Sequence, residues 1–375
     1  SAVDFELSGG AWLAGNRTLQ YGKGGTLALL SGGLNSQLLV GDGVQIDAYG
    51  AGGKAGGALT LEAGQLTVEP MTEGWVQQGQ TAGSVLIGNG LFADYGLTSI
   101  NLVAAGAPAS ASGTDVLTVN PGTVIQASAQ TLALGSGYLG QPSAADILSL
   151  SSITTLPLAE RVPVNLNFAA APSTYAGPLK PAGIAFGSGA SIDADPGAKI
   201  SMTTPGTIDF AGSFRAADGT VSLVTTPSGS TTGYQSGITL EPSAVIDVSG
   251  AAVLQPGAAL PLGSVLPGGS VTLSAANGPI DVLPGSLVNV DGASAKLDIL
   301  GGPGGSYRLT TLGSAAGSVV VNATNSISWL GTLAAHAGQG DTGQAEGGQL
   351  TIGGPRTIEL TSGPIQSTPL PANAS

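Results

Sequence analysis

A short unit of two strands and two corners recurs along this chain and limits it to folds built from stacked β-structure. Its clearest copy is Ile238-Thr-Leu-Glu-Pro-Ser-Ala-Val-Ile-Asp-Val-Ser-Gly250. Ile238 and Leu240 alternate with Thr239 and Glu241, which makes one face of a strand apolar. Pro242 ends the strand because it has no N–H to donate. Ile246 and Val248 alternate around Asp247, and Ser249-Gly250 reads as a second corner at which glycine accepts a positive φ.

The unit returns from Ile280 to Gly292 and from Leu117 to Ser128, with looser copies at Leu38 (including Ile46) and Ile184 and a truncated one over 66–70. Aligning the copies puts Ile46, Ile125, Ile192, Ile246 and Val288 in one equivalent position. A glycine pair followed by an alternating strand often leads in, as at Gly24-Gly25, Gly57, Gly269 and Gly348. Together the two elements predict a coil of roughly 20–25 residues, a length typical of solenoid repeats. One coil buries too little to stand alone, so each strand must pair with its equivalents above and below. The fold class this predicts is all-β, a right-handed parallel β-helix with loop excursions. At ~22 residues per coil and ~4.8 Å between strands, the expected rod has about 17 coils and is ~80 Å long.

The expected organisation is one rod over 1–361 and a Pro/Ser-rich tail over 362–375. Gly50–Gly57 and Met71–Gly83 read as protruding loops, and 139–182 as an irregular excursion with a short helix within Ala144–Leu156. No cap is evident at either end, and Ser1–Leu7 begins like the middle of a strand, so a segment of a longer chain is expected.

Glycine is 62 of 375 residues and charged residues are 9%, yet 42% are apolar, so the glycines punctuate strands and do not mark disorder. A net charge of −13, with the ten basic residues dispersed singly, argues against nucleic acid and anionic membrane as partners. Cysteine is absent, which excludes disulfides and thiolate metal sites. No apolar run of membrane-spanning length occurs, so no membrane insertion is expected.

Several polar features invite chemistry. The aliphatic–Asp pairs at Asp47, Asp193, Asp209, Asp247 and Asp281 would form a calcium-binding ladder if they stacked. The plainer reading is a set of outward Asp residues, since stacked like charges repel. Asp193 and Asp195, with Asp209, Asp218, Lys199 and Arg215 nearby in sequence, resemble the acidic clusters of polysaccharide lyases and hydrolases. Against this, Asp195-Pro-Gly197 reads equally as a turn. His336, the single histidine, could join Asp341 and Glu346 around a metal, although the glycine-rich context reads as a turn. Trp75, Tyr49, Tyr95 and Tyr138 are candidates for stacking on sugars. None of these commits to a catalytic, cofactor or metal site, and no cofactor is expected.

Four blocks resemble large exoproteins of the filamentous-haemagglutinin type. They are Gly90–Leu102, Leu117–Ile125, Leu156–Leu166 and Gly189–Gly197. The resemblance implies a β-helical shaft, a secreted or cell-surface location and a part in adhesion or biofilm. It also implies two-partner secretion through an outer-membrane transporter, and a glycan or protein receptor on host cells or matrix. It implies no catalytic residue. The function expected is therefore a non-enzymatic shaft or adhesin segment presenting loops, and the alternative is a carbohydrate-active β-helix enzyme.

Overall fold

The computed structural model describes residues 3–31, 38, 40, 43–71, 74–76, 84–105, 115–138, 145–171, 182–227, 236–301, 305–341 and 343–354. The expected tail over 362–375 lies outside them. The described chain is all-β apart from single helical turns, and most of its strands lie in three long sheets.

The first sheet has nine strands. In stacking order they are Thr26–Leu30, Gly57–Ala63, Leu97–Ala104, Asn165–Ala170, Lys199–Thr204, Thr220–Thr225, Ser270–Ala275, Ser318–Ala323 and Gln349–Gly353. The second has eight: Ser84–Gly88, Gln65–Glu69, Asp115–Val119, Gly183–Phe186, Thr207–Phe210, Gly237–Leu240, Ile280–Val282 and Ile327–Trp329. The third has six: Val124–Ala127, Ser191–Ala194, Ser213–Arg215, Val245–Asp247, Leu287–Asn289 and Thr332–Ala334. Every pairing within these sheets is parallel. From Leu97 onward the chain visits first, second and third sheet in the same order each time.

The recurring unit maps onto this itinerary. Its first strand lies in the second sheet, its second in the third, and the glycine-led strand in the first. Ile125, Ile192, Phe214, Ile246 and Val288 are register partners in sequence, and all are fully buried. Leu117, Ile184, Ile208, Ile238 and Ile280 form the equivalent row of the second sheet. Phe186, Phe210 and Phe214 bridge the two sheets, with ring centroids 4.5 to 5.1 Å apart. Ile46 departs from the expected row. Its strand, Val44–Asp47, pairs only with Val3–Glu6, so Ile46 sits opposite Phe5, although it too is buried.

Coil length differs most from expectation. Ile200 to Val221, 21 positions apart, are first-sheet partners, but so are Ile100 and Leu166, 66 positions apart. The longest sheet therefore has nine strands and spans about 40 Å, half the expected rod. The extra residues lie in excursions whose own strands alternate like those of the stack. Antiparallel hairpins leave the chain at Ala252–Val265, Ser294–Gly313 and Gln339–Gln344, each between a third-sheet and a first-sheet strand. The helix expected within Ala144–Leu156 is reduced to one turn, Ile147–Leu150, whose N-cap Asp146 accepts from the Leu148 N–H at 2.9 Å. The next residues, Ser151–Thr154, pair antiparallel with Thr131–Leu134 instead.

The glycine pairs answer to close contact between coils. A Cβ on Gly269 would lie 2.0 Å from the Gly219 carbonyl oxygen, and one on Gly317 would lie 1.8 Å from that of Gly269. At Gly250 a Cβ would lie 2.3 Å from the Leu266 oxygen across the base of a hairpin and 2.9 Å from the Ala293 nitrogen of the next coil; it does not take the positive φ expected of it.

Ile246→Asp tests the interior register. A carboxylate placed between Phe214 and Val288 loses its hydration without gaining a partner, at a cost of several kcal/mol. Chemical denaturation is expected to show a loss of roughly 3 kcal/mol or more, and wild-type stability would contradict the register.

Candidate functional site

The polar counterpart of the buried third-sheet row is its outward row. Gln126, Asp193, Arg215, Asp247 and Asn289 are consecutive register partners one residue after Ile125, Ile192, Phe214, Ile246 and Val288. Period-two alternation turns them away from the core. Gln126 Nε2 donates to Asp193 Oδ2 at 3.2 Å, and Arg215 Nη1 stands 3.6 Å from Asp193 Oδ1. Asp247 Oδ1 accepts from the Ser249 N–H and Asn289 Oδ1 from the Asp291 N–H. A groove of about 260 Å³ runs beside Asp193, Arg215 and Asp247, and its remaining wall includes Ala194, Ala216, Ser249 and Ala251.

This placement excludes a carboxylate ladder and agrees with the plainer reading of outward Asp residues. Arg215 separates Asp193 from Asp247 in the third sheet, while Thr239 separates Asp209 from Asp281 in the second. Asp47 lies outside both, beside Glu6, its register partner. Burial, then the charges of Glu6 and Asp4, push the Asp47 carboxyl above its usual value. Burial also raises Asp209, tempered by the Thr207 hydroxyl, and raises Asp218.

Asp193 and Asp195 do not share a face either, because Asp195-Pro-Gly197 forms the turn that its sequence suggests, closed by the Ala198 N–H on the Asp195 carbonyl. Asp195 follows the end of strand Ser191–Ala194, and its side chain is only 7% exposed. It accepts from Arg161 Nη1 at 2.9 Å, and Arg161 also donates to the Leu156 carbonyl and the Ser128 hydroxyl. Arg161 thus ties the excursion to the stack, a contact that sequence reading missed because the partners stand 34 residues apart in an irregular stretch. Asp218 sits at a different corner, at φ 54°, with Gly268 and Gly317. Lys199 begins a first-sheet strand.

His336 is largely exposed and contacts Asp291 at 3.0 Å, while Asp341 accepts from the Thr311 N–H instead of approaching the histidine. Among the described residues no cluster of three or more potential metal ligands occurs. Two of the aromatics read as sugar-stacking candidates are interior. Trp75 is 1% exposed and donates from Nε1 to the Val44 carbonyl. Tyr49 donates its hydroxyl to the Asp94 carbonyl at 2.6 Å, and burial pushes its pKa up to about 12. Tyr95 and Tyr138 are half-buried. The described part of Met71–Gly83 is therefore anchored: Trp75 and Val76 join the core with Leu91 and Phe92.

Sequence reading missed a short hairpin, Ala11–Leu13 with Leu19–Tyr21, and the three hairpins that leave between third- and first-sheet strands. The latter three lie side by side, with the Asp298 N–H donating to the Pro261 carbonyl and the Asp341 N–H to the Thr311 carbonyl. The middle one exposes Leu300, Tyr307 and Leu309, at 66%, 49% and 55%. Leu300 and Tyr307 are cross-strand partners, and Leu309, two residues beyond Tyr307, shares their face. No helix among the described residues is long and apolar enough to cross a membrane. Comparison with family models, curated proteins and solved structures finds no match to this chain.

Two outcomes test these assignments. Arg161→Ala strands the Asp195 carboxylate and is expected to cost about 3 kcal/mol. Combining it with Asp195→Ala should recover much of that loss, and thermal melting checks both. Asp47 is raised in the folded state, so its favourable contribution is present below the ordinary carboxyl value of 3.8 and is lost as pH rises above it. Asp47→Asn should therefore stabilise the protein at pH 7 by about 0.5 kcal/mol. Melting curves measured against pH should show that gain vanishing below about pH 3.

Proposed function

We propose that this chain is part of the shaft of a secreted bacterial surface exoprotein of the filamentous-haemagglutinin type, built as a right-handed parallel β-helix and used for adhesion. One observation carries the reading: the repeated visit to three parallel sheets in fixed order, with hairpins leaving at one corner in three successive coils. Right-handed crossover is the near-universal hand for parallel strands joined in this way. The blocks that carry the resemblance contribute to this stack or to the excursion tied to it. Leu117–Ile125 supplies second- and third-sheet strands, and Leu156–Leu166 contains Arg161.

Adhesion to a protein receptor on host cells or matrix falls to the hairpins. Stacking constrains the sheets, whereas hairpins can vary without disturbing register. Their exposed Leu300, Tyr307 and Leu309 supply the apolar and aromatic anchors that such contacts use. Export through an outer-membrane transporter belongs to the same reading.

The test immobilises the chain and measures retention of cultured epithelial cells. Leu300→Asp combined with Leu309→Asp should reduce retention at least tenfold with melting unchanged, because both side chains are largely in solvent. Undiminished retention would overturn the assignment to the hairpins. Turnover of a uronate polymer, abolished by Asp193→Ala, would replace the adhesin reading with an enzyme.

A further inference from the structure

The outward third-sheet row has a composition that the role of a shaft does not require. A solvated face needs only small polar residues, and the first sheet has them at Asn101, Asn167, Ser201, Ser222 and Thr272, consecutive register partners. The third sheet instead places two carboxylates and a guanidinium between two amides: Gln126, Asp193, Arg215, Asp247 and Asn289. Acceptors and donors alternate along it. Much of its capacity is unspent, since Asp247 Oδ2 and the Asn289 Nδ2 amide have no hydrogen-bond partner among the described residues. Arg215 is 54% exposed and is engaged only by a long contact to Asp193.

We propose that this row and the groove beside it bind a neutral linear polysaccharide. Three features select that ligand. First, the five positions span about 19 Å at the spacing of parallel strands, so an extended chain can engage all of them and a compact metabolite only one or two. Second, a sugar hydroxyl both donates and accepts: hydroxyls on successive sugar units can donate to Asp193 and Asp247 while accepting from Arg215 and the amides of Gln126 and Asn289. The half-buried Ala217 and Ala251 in the groove wall leave the C–H face of a sugar ring room to pack. Third, the row carries two carboxylates and one guanidinium in a chain of net charge −13, which repels a polyanion. This site is separate from the hairpins and does not depend on their role.

Affinity electrophoresis of the full chain tests it in native gels containing hydroxyethyl cellulose, galactomannan or dextran, with polygalacturonate as the anionic control. Retardation is expected in at least one neutral gel. The double variant Arg215→Ala/Asp247→Ala should weaken it at least tenfold, with melting unchanged. Should that variant melt early, Gln126→Ala and Asn289→Ala, at the two ends of the row, are read in its place. Three results would overturn the proposal: no retardation in any neutral gel, retardation in polygalacturonate alone, or equal retardation of a folded variant. Loss of retardation with cell retention intact would support this site and separate it from the hairpins. Undiminished cell retention in the hairpin variant, with retardation intact, would fail the adhesin reading and leave this one standing.

Discussion

The backbone ladder between one coil and the next is the interaction on which everything else depends. Each strand satisfies its N–H and C=O groups with the strands above and below, so a residue's environment is set by its register partners more than by its sequence neighbours. Ile246 lies against Phe214 and Val288, residues 32 and 42 positions away, and not against Asp247 beside it. The ladder requires the corners to approach closely, and glycine permits this: at Gly317 a single methyl group would strike the carbonyl of the coil before. Core, corners and outward rows follow from that one spacing.

The stack was largely legible in the sequence because its pattern is local. Alternation around Ile238–Leu240 and Val245–Asp247, separated by Pro242, defines two strands and a turn within thirteen residues, and copying that template locates Ile125, Ile192 and Val288 correctly. Coil number was not legible. Ser294–Leu300 alternates like a stack strand, yet it forms an antiparallel hairpin, and nothing local distinguishes the two pairings. Trp75 was misjudged for a related reason. Its Gln-rich surroundings read as a surface loop, and only the fold brings its indole to the Val44 carbonyl.

The candidate site was half visible. Asp193 and Asp247 stood out as aliphatic–Asp pairs, and their equivalence was implied by the template. Arg215 was named as a nearby cation, but its place between the two carboxylates escaped, because it follows Phe214 rather than isoleucine and so breaks the pattern while keeping the register. Its insertion between two carboxylates changes the chemistry of the row from a repelling acidic column to a mixed array of donors and acceptors. Stacked charges in such a fold have to be read along the ladder, and there the deciding residue is the one that departs from the repeat.

The spread in coil length also has a bearing on how far such a chain can be elaborated. Closing 66 residues between Ile100 and Leu166, instead of the 21 between Ile200 and Val221, costs only about 1 kcal/mol of additional closure entropy, because that penalty grows with the logarithm of length. The two strands that flank an insertion keep the same partners whatever lies between them. Cargo can therefore be added at a corner for a penalty that hardly depends on its size, and folding of the inserted piece, not tolerance by the stack, sets the limit.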